Sequence, residues 1–155
     1  MKRIIIGLML LGFCLGLMAE TGLLGIWHGE DYSSARKSLE SSGYTHAKNK
    51  LNVHQFTTNK DDAIYKVVLY LDRNKNVAGW AVHFRNDLTE PQLAAIYEQC
   101  IQLHGNDYSV MQEENMVNWQ LGEKRTFKLG FDDNDRLSVG LYKDDAFPEL
   151  FIPID

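Results

Sequence analysis

Apolar and polar positions alternate along this chain with three distinct periods. An unbroken apolar run from Ile4 to Met18 follows Lys2 and Arg3 and ends at Ala19, where Glu20-Thr21-Gly22 turns polar. That layout predicts a secretory signal peptide over residues 1–19 and an exported chain. A helical period follows: Tyr32, Ala35 and Leu39 fall on one face, with Asp31 or Ser33 as N-cap and Gly43 beyond the end. Three strands are then expected, Leu51 to Thr57, Ala63 to Leu71 and Val77 to Phe84, separated by short polar stretches suited to antiparallel hairpins.

The same order recurs. Thr89 with Gln92 forms a capping box, Pro91 is tolerated in the first turn, and Leu93, Ile96, Tyr97, Cys100 and His104 carry the helical period to Gly105. Strands are expected from Tyr108 to Leu121, interrupted near Glu113 to Asn115, then from Arg125 to Phe131 and from Leu137 to Tyr142. Leu69 to Ala78 aligns without a gap with Leu129 to Ser138, about sixty residues on, and Tyr32, Ala35, Leu39 and Gly43 match Ala94, Tyr97, Ile101 and Gly105. The expected fold is α+β, with tandem αβββ repeats over about 23–86 and 87–145. Together they form one domain, residues 20–155, with an apolar tail over 146–155. Two such meanders join edge to edge into one antiparallel sheet, and both helices cover one face.

Strict alternation then assigns the sheet faces. In the second half Phe127, Leu129, Phe131, Leu137, Val139 and Leu141 face the helices, while Lys128, Gly130, Ser138 and Gly140 face away. The matching inward set in the first half is Val67, Leu69, Leu71, Val77, Gly79 and Ala81, which turns Val68, Tyr70, Trp80, Val82 and Phe84 outward. An open aromatic face of this kind marks a binding surface. Two arrangements would remove it: a bulge that turns Trp80, Val82 and Phe84 inward, or cover from the tail, Phe147 to Ile154.

Charge narrows the partners. Loss of Lys2 and Arg3 with the signal lowers the 16 basic residues to 14 against 21 acidic ones, so the net charge moves from -5 to -7, which disfavours nucleic acid and anionic lipid. Membrane association is expected only through a partner or through an uncleaved or lipidated N-terminus. Cys14 is a poor lipid-attachment site, with Phe13 before it and apolar residues after it. Cys100 is the one cysteine left in the processed chain, so an intrachain disulfide is excluded, and its helical phase places it inward. About 136 residues are enough for one core without staples.

The segment from Gly25 through Ile26-Trp27-His28-Gly29-Glu30-Asp31 to Tyr44, a Gly-containing turn into a short helix, then Gly and strands, resembles the opening of small bacterial envelope proteins. With the doubled order, the chain resembles the group that includes the outer-membrane assembly lipoprotein BamE and the tandem-repeat beta-lactamase inhibitor proteins. That resemblance implies a non-enzymatic module that binds another protein across its sheet. The chain departs from the group in lacking a well-placed lipid-attachment Cys and the paired cysteines of the inhibitors.

Catalytic and metal chemistry find little footing. Asp72-Arg73-Asn74-Lys75-Asn76 and Asp132-Asp133-Asn134-Asp135 have the alternating oxygens of a calcium loop without its central Gly and distal Glu, and they sit where hairpin turns are needed. His28, His46, His54, His83 and His104 show no ligand spacing. His46 and His54 could share a strand face with His83 across the sheet, but a scattered set is the expectation. No nucleophile, P-loop or dinucleotide signature is present, and Glu113, Glu114, Asp144 and Asp145 read as solvated pairs. No catalytic residue, metal or cofactor is expected.

The leading functional expectation is thus a secreted or periplasmic, non-enzymatic protein-binding module. Its partner is another envelope or secreted protein, held at Tyr70, Trp80, Val82 and Phe84, and Trp80→Ala should spare the fold. The competing expectation is a small envelope enzyme or metal or small-molecule binder with its site in the sheet's concavity around His54 and His83. A third is a structural surface protein docking through Pro148 to Asp155.

Overall fold

The computed structural model describes residues 21–151. The signal peptide, Cys14 and the last four residues of the tail lie outside the described residues. Helix α1 (Tyr32–Ser41) starts where the Asp31 carboxylate accepts the Ser33 N–H at 2.9 Å, and it ends at Gly43, whose φ of +95° suits a residue without Cβ. Ala35 and Leu39 are fully buried, and Tyr32 packs at their margin. Helix α2 (Glu90–His104) opens with the Gln92 side chain accepting the Thr89 N–H at 2.9 Å. It buries Ile96 and Cys100 and closes at Gly105.

Eight strands make one antiparallel sheet: β1 (Thr45–Lys50), β2 (Val53–Thr57), β3 (Ile64–Leu71), β4 (Val77–Phe84), β5 (Tyr108–Met111), β6 (Met116–Gln120), β7 (Arg125–Phe131) and β8 (Leu137–Asp144). Their order across the sheet is β1-β2-β3-β4-β8-β7-β6-β5. The α+β class and the sheet agree with the sequence reading. The strand count does not: each helix precedes four strands, not three. The missing strand of the first half is β1, whose Thr-His-Ala-Lys-Asn-Lys sequence has no apolar stripe because it is an exposed edge. It turns into β2 through Leu51, which is 84% exposed at φ +55°.

The expected faces require correction, and bulges are the reason. In β3–β4, Leu71 pairs with Val77 but Tyr70 pairs with Gly79, so Ala78 is an extra residue. In β7–β8, Phe131 pairs with Leu137 and Gly130 with Val139, which makes Ser138 the extra residue. Each bulge reverses the alternation beyond it. Trp80, Val82 and Phe84 therefore point toward the helices with Val67, Leu69 and Leu71, and they are 0%, 0% and 4% exposed. Gly79 and Ala81 point outward instead. In β8, Val139 and Leu141 turn outward while Gly140 and Tyr142 turn inward. Of the five residues assigned to the open face, Val68 and Tyr70 lie there; of the four expected to hold the partner, only Tyr70 does.

Trp80 sits at the middle of the core. Its ring stacks on Tyr142 of the neighbouring strand at 4.1 Å, and His28 covers it at 5.0 Å. The segment after residue 21 lies over this pair: a Cβ on Gly22 would come within 2.4 Å of the Trp80 ring and 2.6 Å of Tyr142. The Leu23 N–H donates to the Tyr142 hydroxyl at 2.9 Å. Phe127 stacks on the other side of Tyr142, and Trp119 and Tyr108 continue the row of rings to the β5 edge.

Candidate functional site

The outer face of the sheet, opposite both helices, is where the fold leaves backbone-ordered surface without a covering layer. Strand register places Val68 and Tyr70 of β3, Ala81 and His83 of β4, and Val139 and Leu141 of β8 side by side there. Lys66 pairs with His83, and Lys128 pairs with Leu141. Lys48 and Lys50 occupy the outward positions of β1, opposite Gln55 and Val53, and Lys143 those of β8. No strand position on this face carries a carboxylate. None of the salt bridges among the described residues engages Lys48, Lys50, Lys66 or Lys128, while Lys143 is held by Asp145 at 3.0 Å. An apolar centre ringed by lysines therefore stands on a chain of net charge -5.

Part of the face is covered by the chain itself. A 3-10 turn, Pro148–Phe151, lays Phe151 on the outward ring of Tyr70 at 4.9 Å, with the Lys143 ammonium 5.9 Å from the Phe151 ring. A Cβ on Gly79 would approach Phe151 to 2.6 Å, so a glycine is needed beneath the strap. Tail cover and an inward-turning bulge thus occur together. Beyond the strap the centre of this face is closely packed: Val68 and Ala81 are 6% and 4% exposed, His83, Val139 and Leu141 are half-buried, and Tyr65 at the rim is 38% exposed and 6.4 Å from His83. Burial drives His83 to about 4, aided by Lys66, so this imidazole is neutral at physiological pH.

Val68, Tyr70 and Lys128 lie on the expected face, while the β4 and β8 members of this set were missed because strict alternation carried the wrong parity past Ala78 and Ser138. The signal was present: Val77 and Trp80, three positions apart and both large, cannot share a face of an unbulged strand.

The histidines divide. His46 Nε2 and His54 Nδ1 meet at 3.4 Å on the helix side of β1 and β2. His83 lies on the other face, which removes the expected concave site around His54 and His83. Burial drives His28 and His104 to about 4, and His104 Nε2 is bonded to the Tyr142 hydroxyl at 2.8 Å. Among the described residues no group of three His, Cys, Asp or Glu converges.

The Asp-rich turns spend their oxygens on the backbone. Asp72 Oδ1 accepts the N–H groups of Asn74 and Asn76, both at 2.8 Å, and Asp132 Oδ1 accepts those of Asn134 and Arg136 at 2.9 and 3.0 Å. The Arg136 guanidinium occupies the other Asp132 oxygen, at 2.9 Å. These are Asx turns. Burial pushes the Cys100 thiol up to about 12, far from a reactive thiolate. Asp144, expected on the surface, is buried against Arg125 at 3.1 Å, whereas Glu113 and Glu114 are exposed.

No protein-family model, curated protein or solved structure matches this chain.

Proposed function

We propose that this chain is an exported, non-enzymatic protein-binding module that takes an acidic partner surface on the outer face of its sheet. The observation that carries the reading is the apolar centre of Val68, Ala81, Val139 and Leu141, ringed by Lys48, Lys50, Lys66 and Lys128 with no outward strand carboxylate. Lysines without ion-pair partners around an apolar patch suit a protein surface that brings both carboxylates and apolar side chains. A protein surface, unlike a phosphate backbone or a lipid headgroup layer, brings apolar side chains to the centre of the patch as well as carboxylates to its lysines. The envelope setting rests on the signal-peptide layout and on the resemblance to envelope modules of the BamE and inhibitor type.

The scaffold itself reads as a duplication. The Asx turns at Asp72 and Asp132, their left-handed residues Lys75 and Asp135, and the bulges at Ala78 and Ser138 recur at one constant spacing. Ala81, which pairs with Leu141 across the β4–β8 seam, matches that same Leu141 in the alignment, as a two-fold relation between copies requires.

A photo-crosslinking residue at Lys128 or Tyr65, compared with one at Lys37 on α1, tests the outer face in the chain's native host. The outer positions should form an adduct with one acidic protein that Lys37 does not form, and adding Lys66→Glu and Lys128→Glu to the Tyr65 probe should remove its adduct without shifting the unfolding temperature. Equal adducts from α1, or an adduct indifferent to both charge reversals, would defeat the reading.

A further inference from the structure

We infer that His46 Nε2 and His54 Nδ1 form a two-imidazole chelate for a zinc-like divalent cation at the β1 edge of the sheet. The two nitrogens face each other at 3.4 Å. A tetrahedral ion with metal–nitrogen bonds of about 2.0–2.1 Å places two of its ligands about 3.3–3.4 Å apart, so the pair matches that bite. A square-planar ion needs cis nitrogens about 2.8–2.9 Å apart at the same bond length, which makes zinc the better fit than copper(II).

The rings are held before any ion arrives. His46 packs edge-on against Phe56 at 5.2 Å, and His54 lies against Tyr32 of α1 at 4.4 Å. Both belong to paired strands, His46 in β1 and His54 in β2. A chelate whose rotamers are fixed by packing loses little entropy on binding. In the pair's hydrogen bond one facing nitrogen carries hydrogen. On binding, that proton moves to the far nitrogen of the same ring, and both facing nitrogens become ligands with no net proton release.

Two cations oppose the ion, and each is partly occupied. Arg36 is paired with Glu40 at 2.7 Å, and the Lys75 ammonium donates to Asn52 at 2.9 Å. They cap the affinity rather than abolish the site, and they give it an unusual signature: added salt, which screens like charges, tightens binding. With two protein ligands, the remaining coordination positions are left to water.

The test is calorimetric titration of zinc chloride into the untagged chain at pH 7.5, with the imidazole resonances followed by NMR. One ion per chain is expected, with the His46 and His54 rings shifting together and heats that do not depend on the buffer's ionisation enthalpy. Affinity should fall at least tenfold in His46→Ala and in His54→Ala, stay level in His83→Ala, and rise in Lys75→Gln. Binding that survives both substitutions, or no binding to the wild-type chain at millimolar zinc, overturns the inference. If His54→Ala does not fold, His46→Ala, a substitution in the exposed edge strand, and the wild-type ring shifts decide the matter.

Discussion

At the residue scale, Trp80 shows how one position changes meaning with its face. Read outward, it is a binding anchor that can be removed without harm. Facing inward, it is fully buried, stacked on Tyr142, covered by the tilted ring of His28, and roofed by Gly22. Trp80→Ala should therefore cost about 3–5 kcal/mol, the range for deleting a large buried ring, and urea denaturation will show it as a lowered midpoint. A variant as stable as the parent would return Trp80 to the surface. The histidines of the same core make a second prediction. His28 and His104 titrate near 4 when folded, against an ordinary value of 6.5, because burial disfavours their charged forms. The unfolded chain binds protons more readily than the folded one between these values. Stability is thus fully present above about pH 6.5 and is lost as pH falls toward 4. Glu30, whose carboxyl is raised mainly by burial, acts in the opposite sense in the acid part of this range. The urea midpoint should be clearly lower at pH 4.5 than at 7.5, and His104→Gln, which keeps a hydrogen-bonding group for Tyr142, should flatten the difference. An equally steep loss in that variant would remove His104 from the explanation.

At the scale of elements, what was legible in the sequence was whatever depends on local chemistry. The N-cap at Asp31, the Thr89–Gln92 box, the glycine stops at Gly43 and Gly105 and the break before Asn115 all lie where residue type dictates backbone. Strand β1 was illegible because an exposed edge gains nothing from apolar side chains, and Lys48 and Lys50 guard it against unwanted pairing. The faces were half legible. Up to the hairpin turns, parity gave Val67, Leu69, Leu71, Phe127, Leu129 and Phe131 correctly, and beyond them a single extra residue in each second strand inverted it. On the outer face Val68 and Tyr70 therefore stay, and Ala81, His83, Val139 and Leu141 replace Trp80, Val82 and Phe84. The His46–His54 contact was half legible: a shared strand face was expected, and the pairing of His46 with Phe56 sets His54 two positions along that same face.

At the scale of the whole molecule, the seam between β4 and β8 decides whether the two halves are independent. In residues 21–86 nine Lys or Arg stand against six Asp or Glu, and in residues 87–151 five stand against thirteen, so the halves carry opposite net charge. The core crosses the seam too: Trp80 of the first half stacks on Tyr142 of the second, and the Tyr142 hydroxyl joins Leu23 to His104. Each half alone would expose this aromatic row and leave the long central strand β4 or β8 as an open apolar edge, which is the condition for collapse or aggregation. Residues 21–86 and 87–151 made as separate chains should therefore lack native circular dichroism. Mixed at equal concentration in moderate salt, they should recover it as a one-to-one complex, because the β4–β8 pairing and the Trp80–Tyr142 stack join them. Charge complementarity between the halves should make that association faster at low ionic strength. Size-exclusion chromatography with dichroism reads both outcomes. A half that folds alone as a monomer would show that the seam joins two finished domains, and the shared core around Trp80 would then be a consequence of their contact and not its cause.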